Sequence, residues 1–79
     1  MKPMERELLE ILRRDVLATD REIGPGTDLF DLGLDSMAIM QLLLLIEDEF
    51  GIALDPTDLS RDNFRNPGQI VRLLESKRP

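Results

Sequence analysis

The chain has 79 residues, which fits one small domain and leaves too few residues for a catalytic cleft with its own supporting core. Ten Lys and Arg against 16 Asp and Glu give a formal net charge of −6, the wrong sign for binding nucleic acid or an anionic membrane. Cys and His are both missing, which argues against a disulfide framework and a transition-metal site. No apolar run reaches the roughly 18 residues of a membrane span. These features predict a monomeric, cytoplasmic single domain over residues 1–79 that holds no metal and does not insert in a membrane.

The N-terminal segment has the pattern of an amphipathic helix. Leu8, Ile11 and Val16 recur at helical spacing, while charged residues occupy the opposite side. Pro3 suits a first helical position. We therefore expect a first helix over about residues 3–18.

A long loop follows, because residues 19–35 have Gly-Pro-Gly near their centre and no sustained period. Such a loop is long for a compact domain, so its apolar residues are expected to pin it across a bundle. These residues are Ile23, Leu29, Phe30, Leu32 and Leu34.

The second helix is predicted from Ser36 to Phe50, with Gly51 as a left-handed stop. Asp55 and Pro56 suit the start of a short third helix, with irregular or 3₁₀ geometry through to Phe64. The fold class is then a small all-α bundle of four helices.

The last helix is expected over about residues 67–77. Asn66 suits the N-cap, Pro67 the first helical position and Gln69 the third, which together make a capping box.

The second helix has two apolar faces. Its predicted core face contains Ile39, Leu42, Leu43, Ile46 and Phe50. Nearly opposite lies a second set: Met37, Met40 and Leu44, in company with Gln41, Glu47 and Asp48. Either these apolar residues tuck under the long loop, or they form a docking surface whose flexible methionines and acidic rim suit several basic partners.

Ser36 is a cap or a chemical attachment point, but it lacks what a catalytic serine needs. A nucleophilic serine requires a base within hydrogen-bond reach, and the chain offers no His and only Lys2 and Lys77, both near its ends. Ser36 could cap the second helix. Asp35 could do so equally well, which would leave the Ser36 hydroxyl available beside the positive end of the helix, where a phosphodiester is favoured.

The segment "FDLGLDSM", followed by a helix and by "EFGI", strongly resembles the phosphopantetheine attachment region of acyl and peptidyl carrier proteins. The resemblance covers essentially the whole chain and implies the four-helix bundle of that family, with a long loop and a short third helix. It implies that the protein is not an enzyme. A separate phosphopantetheinyl transferase, using coenzyme A and Mg²⁺, would attach 4′-phosphopantetheine to Ser36, flanked by Asp35, and the terminal thiol would then hold an acyl or aminoacyl group as a thioester.

By the same resemblance, the second apolar face of this helix is the partner surface. The residues implied are Met37, Met40, Gln41, Leu44, Glu47 and Asp48, together with Asp35. The implied partners are the transferase, an acyl- or aminoacyl-activating ligase, and downstream transferases or synthases.

Two positions depart from the pattern of carriers that serve general fatty acid synthesis. Those carriers typically have acidic residues where this chain has Ala38 and Gln41. The segment "LSRDNFRNPGQI" also looks like the corresponding part of D-alanine and peptidyl carriers. We therefore expect a specialised carrier, with an unmodified helical protein–protein adaptor as the alternative.

Overall fold

The computed structural model describes residues 3–77, and its regular elements are helical throughout that range. There are three α-helices: α1 (Pro3–Ile11), α2 (Ser36–Phe50) and α3 (Pro67–Lys77). A π-helical segment, Leu12–Val16, continues α1, and two 3₁₀ turns, Pro56–Asp58 and Asp62–Phe64, lie between α2 and α3. The predicted all-α class is confirmed.

The short third helix, expected with irregular or 3₁₀ geometry through to Phe64, consists of two 3₁₀ turns, so residues 3–77 contain three α-helices. Asp55 precedes the first turn with extended backbone, and its N–H donates to Asp58 Oδ2 at 2.8 Å. Leu59 then leaves helical geometry at φ −86° and ψ 51°. Each turn is three residues long. A 3₁₀ turn has poorer hydrogen-bond geometry than an α-helix and rarely extends further.

The first helix differs from the prediction in its last turns. Beyond Ile11 the backbone widens, so that the Leu17 N–H donates to the Leu12 carbonyl, five residues earlier, at 2.8 Å. Ala18 then adopts left-handed backbone with φ 47° and ends the helical path. The predicted first helix is therefore present as an α-helix to Ile11 and a π-helix to Val16, two geometries that apolar spacing alone does not separate.

The core is aliphatic with one buried aromatic ring. Leu8 and Leu12 come from the first helix and its π-helical end, and the Phe64 ring from the second 3₁₀ turn. The other fully buried aliphatic side chains come from three elements. Helix α2 supplies Leu42 and Ile46, α3 supplies Ile70 and Leu74, and the long loop supplies Leu29.

The long loop is pinned to the start of α3, as its apolar content predicted. The Leu29 N–H donates to the Arg65 carbonyl at 2.8 Å, and the Gly68 N–H donates to the Pro25 carbonyl at 2.9 Å. The Gln69 N–H donates to Asn66 Oδ1 at 2.8 Å, which confirms the predicted N-cap of α3. No helix within residues 3–77 combines the length and apolar character needed to cross a membrane.

Candidate functional site

The stretch before α2 is a compact turn that delivers Ser36 to the surface. Asp28 Oδ1 accepts the Phe30 N–H at 2.9 Å, and the Leu34 N–H donates to the Leu29 carbonyl at 3.0 Å. Gly33 lies between them with φ 104°, a backbone conformation that a residue with a Cβ rarely adopts. Because both leucines are buried, the turn is held at two points and the chain leaves it in a defined direction.

Asp35, and not Ser36, caps α2. The backbone of Asp35 is extended, its Oδ1 accepts the Ala38 N–H at 2.9 Å, and its carbonyl accepts the Ile39 N–H at 2.9 Å. Ser36 is the first residue of α2 and is exposed. Its hydroxyl has no hydrogen-bond partner within residues 3–77. Of the two capping arrangements that the sequence allowed, the structure therefore has the one that leaves the Ser36 hydroxyl available.

The helix start also favours a bound anion. The N–H groups of Ser36 and Met37 have no acceptor in the described part of the chain. Unpaired N–H groups and the helix dipole give this end of α2 a partial positive charge. A phosphodiester on the Ser36 hydroxyl would lie beside those groups, so the residues fit a phosphopantetheine arm attached there.

The lysine that the described residues contain is not a free base for chemistry at Ser36. Lys77 is the one lysine within residues 3–77, and its Nζ lies 3.0 Å from Asp58 Oδ2 and 3.5 Å from Asp55 Oδ2. The hydrogen bond to Asp58 raises the pKa of Lys77, so this ammonium stays protonated at neutral pH. Asp35, the carboxylate next to Ser36 in the chain, already serves as the helix cap.

The second apolar face of α2 is open to solvent. Met37, Met40 and Leu44, which we call the apolar stripe, are 82%, 59% and 69% exposed. On the other side of the helix Leu42 and Ile46 are fully buried. Among the described residues nothing covers the stripe, so the alternative that these side chains tuck under the loop is wrong. The rest of the predicted core face, Ile39, Leu43 and Phe50, is partly buried against the core.

The polar residues predicted for this face differ in their contacts. Glu47 and Asp48 are exposed, and they place two carboxylates at the C-terminal half of the stripe. Gln41 is also exposed, but its Nε2 donates to the carbonyl oxygen of Asp15 at 2.9 Å. Gln41, which was predicted to contact partner proteins, is therefore already hydrogen-bonded to the π-helical segment.

One contact beside the site was missed by sequence reasoning. The guanidinium carbon of Arg61 lies 4.1 Å from the centroid of the Phe30 ring, a cation–π distance. It joins the segment between the 3₁₀ turns to the turn that precedes Ser36. The two residues are far apart in the chain, and no spacing rule in the sequence connects them.

Comparisons with known proteins agree with this site. The family model described as "Phosphopantetheine attachment site" matches residues 6–74. The D-alanyl carrier protein of Listeria monocytogenes is 38% identical over 71 residues, which are 87% of this chain and 90% of that protein. Aminoacyl carrier protein 2 of Bradyrhizobium diazoefficiens is 30% identical over 64 residues, which are 81% of this chain and 70% of that protein.

Solved structures give the same fold. One similar chain comes from the crystal structure of Bradyrhizobium japonicum glycine:carrier protein ligase complexed with glycylated carrier protein. It has a TM-score of 0.69 and 26% identity, and the alignment covers 89% of this chain and 92% of that one. A second structure, with the cognate carrier protein and an analogue of glycyl adenylate, gives a TM-score of 0.72 at 25% identity and covers 92% of both chains. The prosthetic group implied by the matched family is 4′-phosphopantetheine. With a family match across most of its length and relatives above 30% identity, the chain belongs to the phosphopantetheine-binding family of carrier proteins.

Proposed function

We propose that Ser36 is the attachment point of 4′-phosphopantetheine and that the protein carries aminoacyl groups as thioesters on this arm. One observation supports the attachment point above all others. The Asp35 carboxylate accepts the capping bond from the Ala38 N–H, so the exposed Ser36 hydroxyl is left without a hydrogen-bond partner among residues 3–77. The chain itself has no thiol, and a bound arm supplies the one that a thioester needs.

In this function the chain presents the Ser36 hydroxyl and stabilises the phosphodiester that is formed on it. The Ser36 oxygen forms a bond to the phosphorus that bears the pantetheine of coenzyme A, the pyrophosphate P–O bond breaks and adenosine 3′,5′-bisphosphate leaves. The hydroxyl proton passes to a base of the transferase, since Lys77 is held in ion pairs with Asp55 and Asp58. The positive end of α2 then stabilises the negative charge of the phosphodiester. The chain is a carrier, and its partners do the chemistry.

An aminoacyl cargo is favoured by the relatives. Their names specify D-alanyl and aminoacyl carriers, and the similar solved chains were crystallised with a glycine ligase. Ala38 and Gln41 agree with this proposal, because they make the start of α2 less acidic than in carriers of general fatty acid synthesis. The cytoplasmic location, the monomeric state and the single domain over residues 1–79 stay predictions.

We assign partner binding to the apolar stripe with Glu47 and Asp48. Met37 and Met40 are flexible, and an exposed apolar surface edged by carboxylates suits partners with apolar and basic docking surfaces. The partners that we propose are a phosphopantetheinyl transferase, an aminoacyl-activating ligase, and downstream transferases or synthases. Asp35 lies next to the attachment point, where the transferase has to approach.

Modification is tested by intact mass. The purified protein is incubated with coenzyme A, Mg²⁺ and a broad-specificity phosphopantetheinyl transferase. We expect a mass gain of one phosphopantetheine group in the wild type and none in Ser36→Ala. A gain that persists in Ser36→Ala would refute Ser36 as the attachment point. A wild type that is never modified would favour the adaptor alternative.

Cargo and docking are tested by loading the modified protein with a ligase. With ATP and a glycine or D-alanine carrier ligase, we expect a hydroxylamine-sensitive aminoacyl adduct. Met40→Glu places a charge in the apolar stripe and should raise the KM for the carrier about tenfold or more. Ala53→Glu adds the same charge at an exposed position beyond α2 and serves as the matched control. Equal KM values for the two variants would show that the stripe is not the docking surface.

A further inference from the structure

The side chain of Gln41 satisfies a backbone group at the end of another helix. The last carbonyls of a helix have no intrahelical donor and need partners from elsewhere. At the end of the π-helical segment, the Leu12 carbonyl accepts the Leu17 N–H at 2.8 Å and the Arg13 carbonyl accepts the Thr19 N–H at 3.0 Å. The Asp15 carbonyl instead accepts Gln41 Nε2 from α2 at 2.9 Å. Gln41 therefore caps the first helical segment from outside.

We propose that Gln41 is a positioning residue that holds the Ser36 end of α2 against the π-helical segment, and that it is not a partner contact. Gln41 is five residues after Ser36, which is about 7.5 Å along the helix axis. A bond at this point restrains the first turns of α2, where the hydroxyl is presented. This inference rests on the proposed role of Ser36 for its functional consequence, but the bond itself exists in the unmodified protein.

The bond requires a donor at position 41. Glu has nearly the same shape as Gln, but a carboxylate would face the Asp15 carbonyl oxygen with a second acceptor. The nearby charges do not replace the lost donor. The Asp15 carboxylate is already paired with Arg14, whose Nε and Nη2 each lie 3.2 Å from one of its oxygens. Asp15, and more weakly the charges of Glu10 and Glu49, raise the pKa of the Arg14 guanidinium.

The experiment reads the bond directly in the unmodified protein. We expect the ¹³C carbonyl resonance of Asp15 to shift in Gln41→Glu at pH 7. At pH 3.5 the carboxyl introduced by Gln41→Glu is protonated and can donate again. The Asp15 resonance of the variant should then return toward that of the wild type measured at the same pH. Gln69→Glu, the same exchange at the other glutamine of the chain, should leave this resonance unchanged. Gln41→Met removes the donor without adding charge and covers the case in which Gln41→Glu does not fold.

The functional consequence is measured as the KM for the carrier in the transferase reaction. Loss of the bond shifts the equilibrium between the restrained and the unrestrained position of the first turns of α2 by about 2- to 10-fold, so the KM for the carrier should rise by up to that factor while kcat stays constant. An Asp15 resonance that does not move at pH 7 overturns the inference, whatever happens to KM. A moved resonance with an unchanged KM refutes the positioning role. If the wild type is not modified at all, the proposed function fails, whereas the resonance still reports on the bond.

Discussion

Removing the side chain of Asp35 should destabilise the protein far more than removing the hydroxyl of Ser36. Asp35→Ala takes away the oxygen that accepts the Ala38 N–H at 2.9 Å, and it also removes a negative charge from the positive end of α2. Loss of such an N-cap costs about 1 kcal/mol. A domain of this size is stable by roughly 3 to 5 kcal/mol, so the loss is about a fifth to a third of the free energy of unfolding. The corresponding fall in Tm is about 4–8 °C.

Thermal unfolding followed by far-ultraviolet circular dichroism measures this difference. Asp35→Asn keeps a capping oxygen and should lie within a few tenths of a kcal/mol of the wild type. Ser36→Ala should cost less than about 0.5 kcal/mol, because the exposed hydroxyl has no partner in the described part of the chain. A Ser36→Ala variant that loses as much stability as Asp35→Ala would refute the division of roles between a capping aspartate and an available serine.

Two further predictions concern the fold around the site. An added Cβ in Gly68→Ala would lie 3.1 Å from the Pro25 carbonyl oxygen, a backbone atom that already accepts the Gly68 N–H at 2.9 Å, and should cost about 1 kcal/mol in a urea titration. Gly26→Ala meets nothing within 4 Å and should be neutral or slightly stabilising, so equal losses would contradict this reasoning. The backbone N–H of Asp55 lowers the pKa of Asp58 from its usual 3.8, so the stability from this carboxylate is present above that value and is lost as pH falls through the lowered pKa. The fall of Tm between pH 5 and pH 2 should therefore be shallower in Asp58→Asn, and an unchanged slope would contradict the assignment.

Local signals in the sequence were sufficient to place α2 and its ends. Asp35 and Gly51 are residue types that start and stop helices by bonds within a few residues; Gly51 lies where it was expected, whereas the sequence left the cap open between Asp35 and Ser36. The two faces of α2 follow from a period of 3.6 residues, which is a property of the helix alone. Burial of Leu42 and exposure of Met40 therefore agree with the pattern read from the sequence.

The features that the sequence did not show are contacts between distant segments. Apolar spacing over the first helix fits an α-helical turn and a π-helical turn equally well, so the widening after Ile11 was missed. The same holds for Gln41, which helical spacing places on the partner face. Its hydrogen bond to the Asp15 carbonyl depends on how closely α2 approaches the π-helical segment.

By itself, the sequence determined the start of α2 to within the Asp35–Ser36 pair, which face of that helix is apolar on the outside, and that no His is available as a base for Ser36. These conclusions depend on residue type and on spacing over a few positions. Only the tertiary structure decided that Gln41 bonds to Asp15 and that Arg61 covers Phe30, because each pair joins segments whose distance is set by packing of the whole core. The attachment point is thus encoded locally, while the restraint on the helix that presents it is a property of the folded chain.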